Sequence, residues 1–137
     1  MDAIDIVLIL DESGSVNWAE FNLMKSFLSR FVSGLDIDSG HTRVGLVTYA
    51  SSVGESINLN MHSSRASLQA AISSLLYFAG FTNTAAALGY VRTVMLTSAA
   101  GDRSNVPDVI ILLTAGQSDD RRATQVCRVV WAVISVI

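Results

Sequence analysis

The chain is poor in the residues that mark several classes of protein. Cys127 is its only cysteine, which excludes an internal disulfide. Nine Lys and Arg stand against twelve Asp and Glu, giving a formal net charge of −3. That balance leaves no basic surface for nucleic acid, so we predict no nucleic-acid partner. No apolar stretch approaches the roughly 20 residues that a membrane-spanning helix needs, so we predict no membrane insertion.

What the chain has in abundance is apolar side chains. Half of its 137 residues are hydrophobic and only 15% are charged, which is typical of a folded protein rather than a disordered one. A chain of this length can bury a substantial core. We therefore predict one domain over residues 1–137.

Apolar, β-branched runs alternate with segments of helical periodicity. The runs predict strands, and the periodic segments predict helices, including one that opens with the capping pair Asn17 and Glu20. The predicted strands cover about 4–10, 42–50, 53–59, 109–113 and 129–137, and the predicted helices about 18–34, 64–75, 84–98 and 119–127. The short spacer between the second and third strands predicts an antiparallel hairpin. The alternation predicts a three-layer α/β fold, doubly wound and Rossmann-like, with a mostly parallel sheet and one antiparallel edge strand.

Three oxygen-bearing side chains follow the first predicted strand directly. Asp11, Ser13 and Ser15 occupy alternate positions after the apolar run Ile6–Leu10. One carboxylate and two hydroxyls around one point suit a small divalent cation, most naturally Mg²⁺. The alternative is structural: Asp11 caps the turn through its side chain, and the serines are loop hydroxyls.

Four sequence blocks together resemble the von Willebrand factor type A domain, also called the integrin I-like domain. They are Ile4–Ser15 with its D-x-S-x-S motif, Arg43–Tyr49, Gly80–Leu88 and Val109–Gly116. Their order and spacing cover nearly the whole chain, and the chain looks most similar to extracellular matrix and adhesion members. The resemblance implies that Thr82 joins Asp11, Ser13 and Ser15 in a metal ion-dependent adhesion site. The alternative for Thr82 is a helix cap, for which Thr84 competes.

One departure from the family falls within the implied metal site. The fourth strand of the family normally ends in T-D-G, whereas this chain has Thr114-Ala115-Gly116. Ala115 has no donor atom, so the site loses one of its two carboxylates and Mg²⁺ binding should be weakened. Asp119 or Asp120 could reach the ion through a water molecule.

A second departure concerns the end of the chain. Val129–Ile137 resembles the fifth strand of the family, and no segment matches the last helices and the sixth strand. The resemblance thus implies a C-terminally truncated domain. An apolar strand at a sheet edge favours self-association, which we expect here.

The resemblance implies recognition rather than turnover. The leading interpretation is a protein-binding adhesion module of an extracellular matrix or cell-surface protein, in which an acidic residue of the partner completes the shell of the Mg²⁺ ion. One alternative is an intracellular scaffold of the same fold in a multiprotein complex. The other is a Mg²⁺-dependent phosphoryl-transfer enzyme, but that class needs a nearby second acid or lysine. Lys25, the only lysine, lies inside the first predicted helix, and no Walker motif occurs.

Overall fold

The computed structural model describes residues 2–14, 16–115 and 129–136, with side chains through residue 114. The helices are α1 (Trp18–Ser33), α2 (Arg65–Ser73) and α3 (Thr84–Tyr90). The strands are β1 (Ile4–Asp11), β2 (Thr42–Tyr49), β3 (Val53–Ile57), β4 (Asp108–Ala115) and β5 (Val129–Val136). The helix predicted near 119–127 lies outside the described residues.

The five strands form one sheet in the order β3-β2-β1-β4-β5. The central strand β1 is parallel to β2 and to β4, and β3 is antiparallel to β2 as the short spacer predicts. Residues at the ends of β1, β2 and β4 therefore meet at the same edge of the sheet. We call this carboxyl edge the upper edge and the opposite one the lower edge.

The last strand runs opposite to β4, which the sequence did not indicate. Ala115 pairs with Val129, and Asp108 pairs with Val136. An antiparallel strand begins at the edge where its predecessor ends, whereas a parallel strand requires the chain to return across the whole sheet first. The sheet consequently has two antiparallel edge strands, one at each side.

Helices cover both faces of this sheet, which confirms the predicted three-layer α/β fold. The even-numbered side chains of β1, from Ile6 to Leu10, share a buried cluster with α1 and α2. The odd-numbered side chains Val7 and Ile9 share a second cluster with α3. Because both faces are covered, β1 reads as a continuous apolar run rather than an alternating one.

Side-chain caps fix the helix starts. Asn17 Oδ1 accepts a hydrogen bond from the Glu20 backbone N–H at 2.8 Å, and Ser64 caps α2 in the same way. The helix predicted over 84–98 is shorter, because a π-helical turn at Val91–Met95 follows α3. Within the residues that the structure describes, no helix combines the length and apolar character needed to cross a bilayer.

An acidic cluster lies at the lower edge. Carboxylate oxygens of Asp5, Asp102 and Asp108 lie within 4.8 Å of one another. Arg103 Nη2 contacts the fully buried Asp5 carboxylate at 2.6 Å and also donates to the backbone carbonyls of Ile4 and His41. One guanidinium therefore neutralises Asp5 and ties together the starts of β1 and β2.

Asp108 should make the stability of the domain depend on pH. Burial is the main cause that raises the pKa of Asp108 to about 6. A hydrogen bond with Asp102 and the negative charges of Asp102 and Asp5 raise it as well. The unfolded-state pKa is near 3.9, so the folded state holds a proton that the unfolded chain releases, and stability falls as pH rises through this window. After allowance for solvent screening, Asp108→Asn should be about 1 kcal/mol more stable than the parent at pH 7 and equal to it at pH 4. Urea unfolding at both pH values measures this difference.

Asp2→Asn, at an exposed carboxylate, is the matched control and should leave the pH dependence unchanged. A stability difference between Asp108→Asn and the parent that is the same at pH 4 and pH 7 would contradict this account.

Candidate metal centre

The upper edge brings three polar side chains together at the ends of neighbouring strands. Asp11 ends β1 and stands opposite Tyr49 at the end of β2. Leu10 pairs with Leu113, which places Thr114 of β4 beside Asp11 on the other side. The sheet order therefore places Asp11 between two residues that carry hydroxyl groups.

The Asp11 carboxylate is fully buried and hydrogen-bonded through both oxygens. Oδ1 accepts from the Ser13 backbone N–H at 2.8 Å, and Oδ2 accepts from the Thr114 hydroxyl at 2.6 Å. The bond to Ser13 is the one that the structural interpretation of Asp11 predicts. A carboxylate has about four acceptor sites, however, so the turn does not exclude a further ligand on the same group.

Thr82 reaches the same place from another part of the chain. Its hydroxyl donates to Ser13 Oγ at 2.8 Å, across 69 positions of sequence. Thr82 does not cap α3, because Asn83 Oδ1 accepts from the Ala86 backbone N–H at 3.1 Å. The structure thus brings together Asp11, Ser13 and Thr82, and Ser15 lies outside the described residues.

Thr82 is carried by residues 75–83, an irregular connection between α2 and α3 that we call the 75–83 segment. Hydrogen bonds attach it to the turns that follow β1 and β2: the Phe81 N–H donates to Ser51 Oγ at 2.9 Å, and Gly80 O accepts from the Gly14 N–H at 2.7 Å. A Cβ at Gly80 would lie 2.8 Å from Ser51 Oγ, so a side chain there would displace the hydroxyl that accepts from Phe81.

Negative charge is concentrated around this edge. Burial raises the pKa of Glu12, opposed by hydrogen bonding from the Phe78 N–H, and the charges of Glu55 and Asp11 raise it further. Glu12 is 2% exposed, and its Oε2 has no hydrogen-bond partner among the described residues. Burial and the Asp11 charge also raise the pKa of Tyr49. A cation placed here would relieve this repulsion.

The residues present fit a divalent cation of the Mg²⁺ type. One carboxylate and neutral hydroxyls are hard oxygen donors, and Mg²⁺ keeps several waters when few carboxylates bind it. Ala115, which follows Thr114 at the end of β4, supplies no donor. Asp119 and Asp120, named above as indirect ligands, lie outside the described residues.

The sequence analysis missed several residues of the site. Thr114 and Tyr49 are the last polar side chains before two strands end, a signal that could have found them. Glu55 accepts from the Leu76 backbone N–H at 3.0 Å, and no sequence pattern announces such a contact.

Comparison with other proteins agrees with this geometry. Residues 5–135 match the family model of the von Willebrand factor type A domain. Among the relatives, bovine matrilin-1 is 40% identical over 85% of this chain and 22% of its own length. The mouse collagen alpha-4(VI) chain and bovine integrin alpha-2 are each 36% identical over 85% of this chain, covering 5% and 10% of their own lengths. The chain thus spans less than a quarter of these three relatives.

Solved structures share the fold. Proximal thread matrix protein 1 from the mussel byssus has a TM-score of 0.78 at 23% identity, covering 86% of this chain and 32% of its own. A form of that protein described as having a zinc-occupied MIDAS motif has a TM-score of 0.74 at 27% identity, covering 88% and 30%. The family match spans β1 to β5 and includes every residue of the upper edge. The chain belongs to the von Willebrand factor type A domain family.

Proposed function

We propose that this chain is a single protein-binding module, over residues 1–137, of an extracellular matrix or cell-surface protein. It binds its partner at the upper edge of the sheet, where Asp11, Ser13, Ser15 and Thr82 hold a Mg²⁺ ion. An acidic side chain of the partner then completes the coordination of the ion.

The observation that carries this proposal is the contact between Thr82 and Ser13. Two segments remote in sequence place their hydroxyls 2.8 Å apart beside a buried carboxylate. Neutral hydroxyl donors leave most of the charge of a bound cation uncompensated. Such an ion attracts an incoming carboxylate, which is the chemistry of recognition by an acidic residue.

The comparisons support a divalent cation and a location outside the cell. The mussel byssus protein with a zinc-occupied MIDAS motif shows that a protein of this fold holds a divalent ion. The relatives named above are a matrilin, a collagen chain and an integrin subunit. They favour the extracellular interpretation over an intracellular scaffold.

Exposed aromatic side chains beside the candidate ligands suit a protein partner. Phe81, next to Thr82, is 85% exposed, and Trp18 at the start of α1 is 67% exposed. Phe78 is also exposed. Aromatic side chains supply much of the binding energy at protein interfaces.

The lysine and the histidines that phosphoryl transfer could use make contacts elsewhere in the structure. Lys25 Nζ donates to the backbone carbonyls of Ser73 and Leu75. His41 contacts Ser39 and Asp36, and His62 contacts Ser67. These contacts favour binding over phosphoryl transfer as the role of the upper edge.

Calorimetric titration with Mg²⁺ and Mn²⁺ tests the site directly. We expect a dissociation constant above about 10 μM, because Ala115 stands where the family normally has a carboxylate. Ala115→Asp restores that charge and should tighten binding about tenfold.

A dissociation constant below about 10 μM for the parent would contradict the weakened site that Ala115 predicts. An Ala115→Asp variant with unchanged affinity would show that position 115 does not contribute to the site.

Thr114→Val tests the orientation of the Asp11 carboxylate. Valine keeps the shape of threonine but removes the hydroxyl that donates to Oδ2 at 2.6 Å. Loss of a group that orients a metal ligand typically costs about tenfold in affinity, and we expect that loss for Mg²⁺. Thr93→Val, at an exposed helical position, is the matched control and should bind as the parent does. Equal affinity of the Thr114→Val variant and the parent would refute the orienting role.

We further propose self-association through the edge strand β5. It stands at the end of the strand order, so one side of its backbone lacks a partner strand within the described sheet. Light scattering at high protein concentration should detect dimers. Ser135→Lys adds a charge to this strand and should favour the monomer. A monomeric parent chain would end the proposal.

A further inference from the structure

Two acidic side chains stand between β1 and the 75–83 segment. Glu12 directly follows Asp11, and Glu55 lies on β3. Glu55 Oε2 accepts from the Leu76 backbone N–H at 3.0 Å, and the Glu12 carboxylate faces the Phe78 backbone N–H. The Glu55 hydrogen bond attaches the segment a few residues before Thr82, and the Glu12 carboxylate lies beside the same stretch.

The two carboxylates are themselves linked through Thr48. The Glu55 backbone N–H donates to Thr48 Oγ1 at 2.9 Å, and the Thr48 hydroxyl faces Glu12. The Glu12 backbone N–H donates to Tyr49 O at 2.8 Å, which fixes Glu12 on the sheet. A continuous set of contacts therefore joins the strand that carries Asp11 to the segment that carries Thr82.

We propose that Glu12 and Glu55 are positioning residues of the candidate metal centre. Their carboxylates hold the backbone of Leu76 and Phe78, and this hold sets Thr82 against Ser13. The expected consequence for Mg²⁺ rests on the function proposed above, whereas the hold on the segment is a property of the chain alone.

The physical argument starts from the irregular backbone of the 75–83 segment. Residues outside helices and strands lack ladder partners for their N–H groups, and these groups need other acceptors when the chain packs on a sheet. A carboxylate accepting from a backbone N–H makes a hydrogen bond roughly twice as strong as a neutral one. Glu12 and Glu55 also repel each other, which opposes the stability gained from these bonds. A cation bound beside Asp11 would offset this repulsion.

Gly54 offers a way to displace Glu12 without changing its chemistry. A Cβ at Gly54 would lie 2.5 Å from Glu12 Oε1 and 2.6 Å from Thr48 Oγ1. Gly54→Ala should therefore push the Glu12 carboxylate away from Phe78. A Cβ at Gly89 in α3 would meet no atom within 4 Å, so Gly89→Ala is the matched control.

Amide hydrogen exchange on the metal-free protein tests the hold itself. In Glu55→Ala the Leu76 N–H should exchange about tenfold faster than in the parent, and in Glu12→Ala the Phe78 N–H should do the same. Glu12→Gln and Glu55→Gln keep an acceptor oxygen and should retain most of the protection. Gly54→Ala should follow Glu12→Ala, and Gly89→Ala should follow the parent.

Calorimetry then tests the consequence for the metal. Each alanine variant should bind Mg²⁺ about tenfold more weakly than the parent, as loss of a residue that orients a metal ligand usually does. The glutamine variants should fall between the parent and the alanine variants, because they keep the acceptor and lose the charge.

Unchanged protection of Leu76 and Phe78 in the two alanine variants would overturn the inference. Equal loss of protection in the alanine and glutamine variants would also overturn it, since the acceptor would then be irrelevant. If the parent binds no Mg²⁺, the function proposed above fails, and the exchange rates still decide whether Glu12 and Glu55 hold the segment.

Discussion

The burial of the Asp11 carboxylate is the constraint on which the upper edge depends. A buried charge is tolerated only where hydrogen bonds or opposite charges compensate it. Here the Ser13 backbone N–H and the Thr114 hydroxyl compensate it, and no basic side chain among the described residues forms an ion pair with it. The turn after β1 and the end of β4 are therefore built around one carboxylate. Thr82 joins them through Ser13.

Each edge of the sheet contains a buried aspartate, and the groups that compensate its charge differ between the two edges. At the lower edge Arg103 forms an ion pair with Asp5 and links the starts of β1 and β2 through backbone carbonyls. At the upper edge the partners of Asp11 are a backbone N–H and a hydroxyl, and the carboxylates of Glu12 and Glu55 lie close by. The same residue type is thus balanced by an ion pair in one place and by hydrogen bonds in the other.

Local signals in the sequence predict much of the fold, and they fail where tertiary contacts decide. The β-branched runs and the Asn17 cap predict β1 and α1 closely. The direction of β5 depends on how the chain leaves β4, which no local pattern encodes. The approach of Thr82 to Ser13 followed only from resemblance to a family, because the residues between them carry no pairing signal. The contact of Glu55 with Leu76 uses a backbone N–H, so the side chain at position 76 leaves no trace of it.

In the 75–83 segment the backbone makes the attaching contacts, and the side chains of the same residues are exposed. The backbone N–H groups of Leu76, Phe78 and Phe81 face Glu55, Glu12 and Ser51. The side chains of the same three residues point outward, between 56% and 85% exposed. Any residue other than proline at these positions keeps the backbone N–H that attaches the segment. The same fold can therefore present different exposed side chains beside the candidate metal centre.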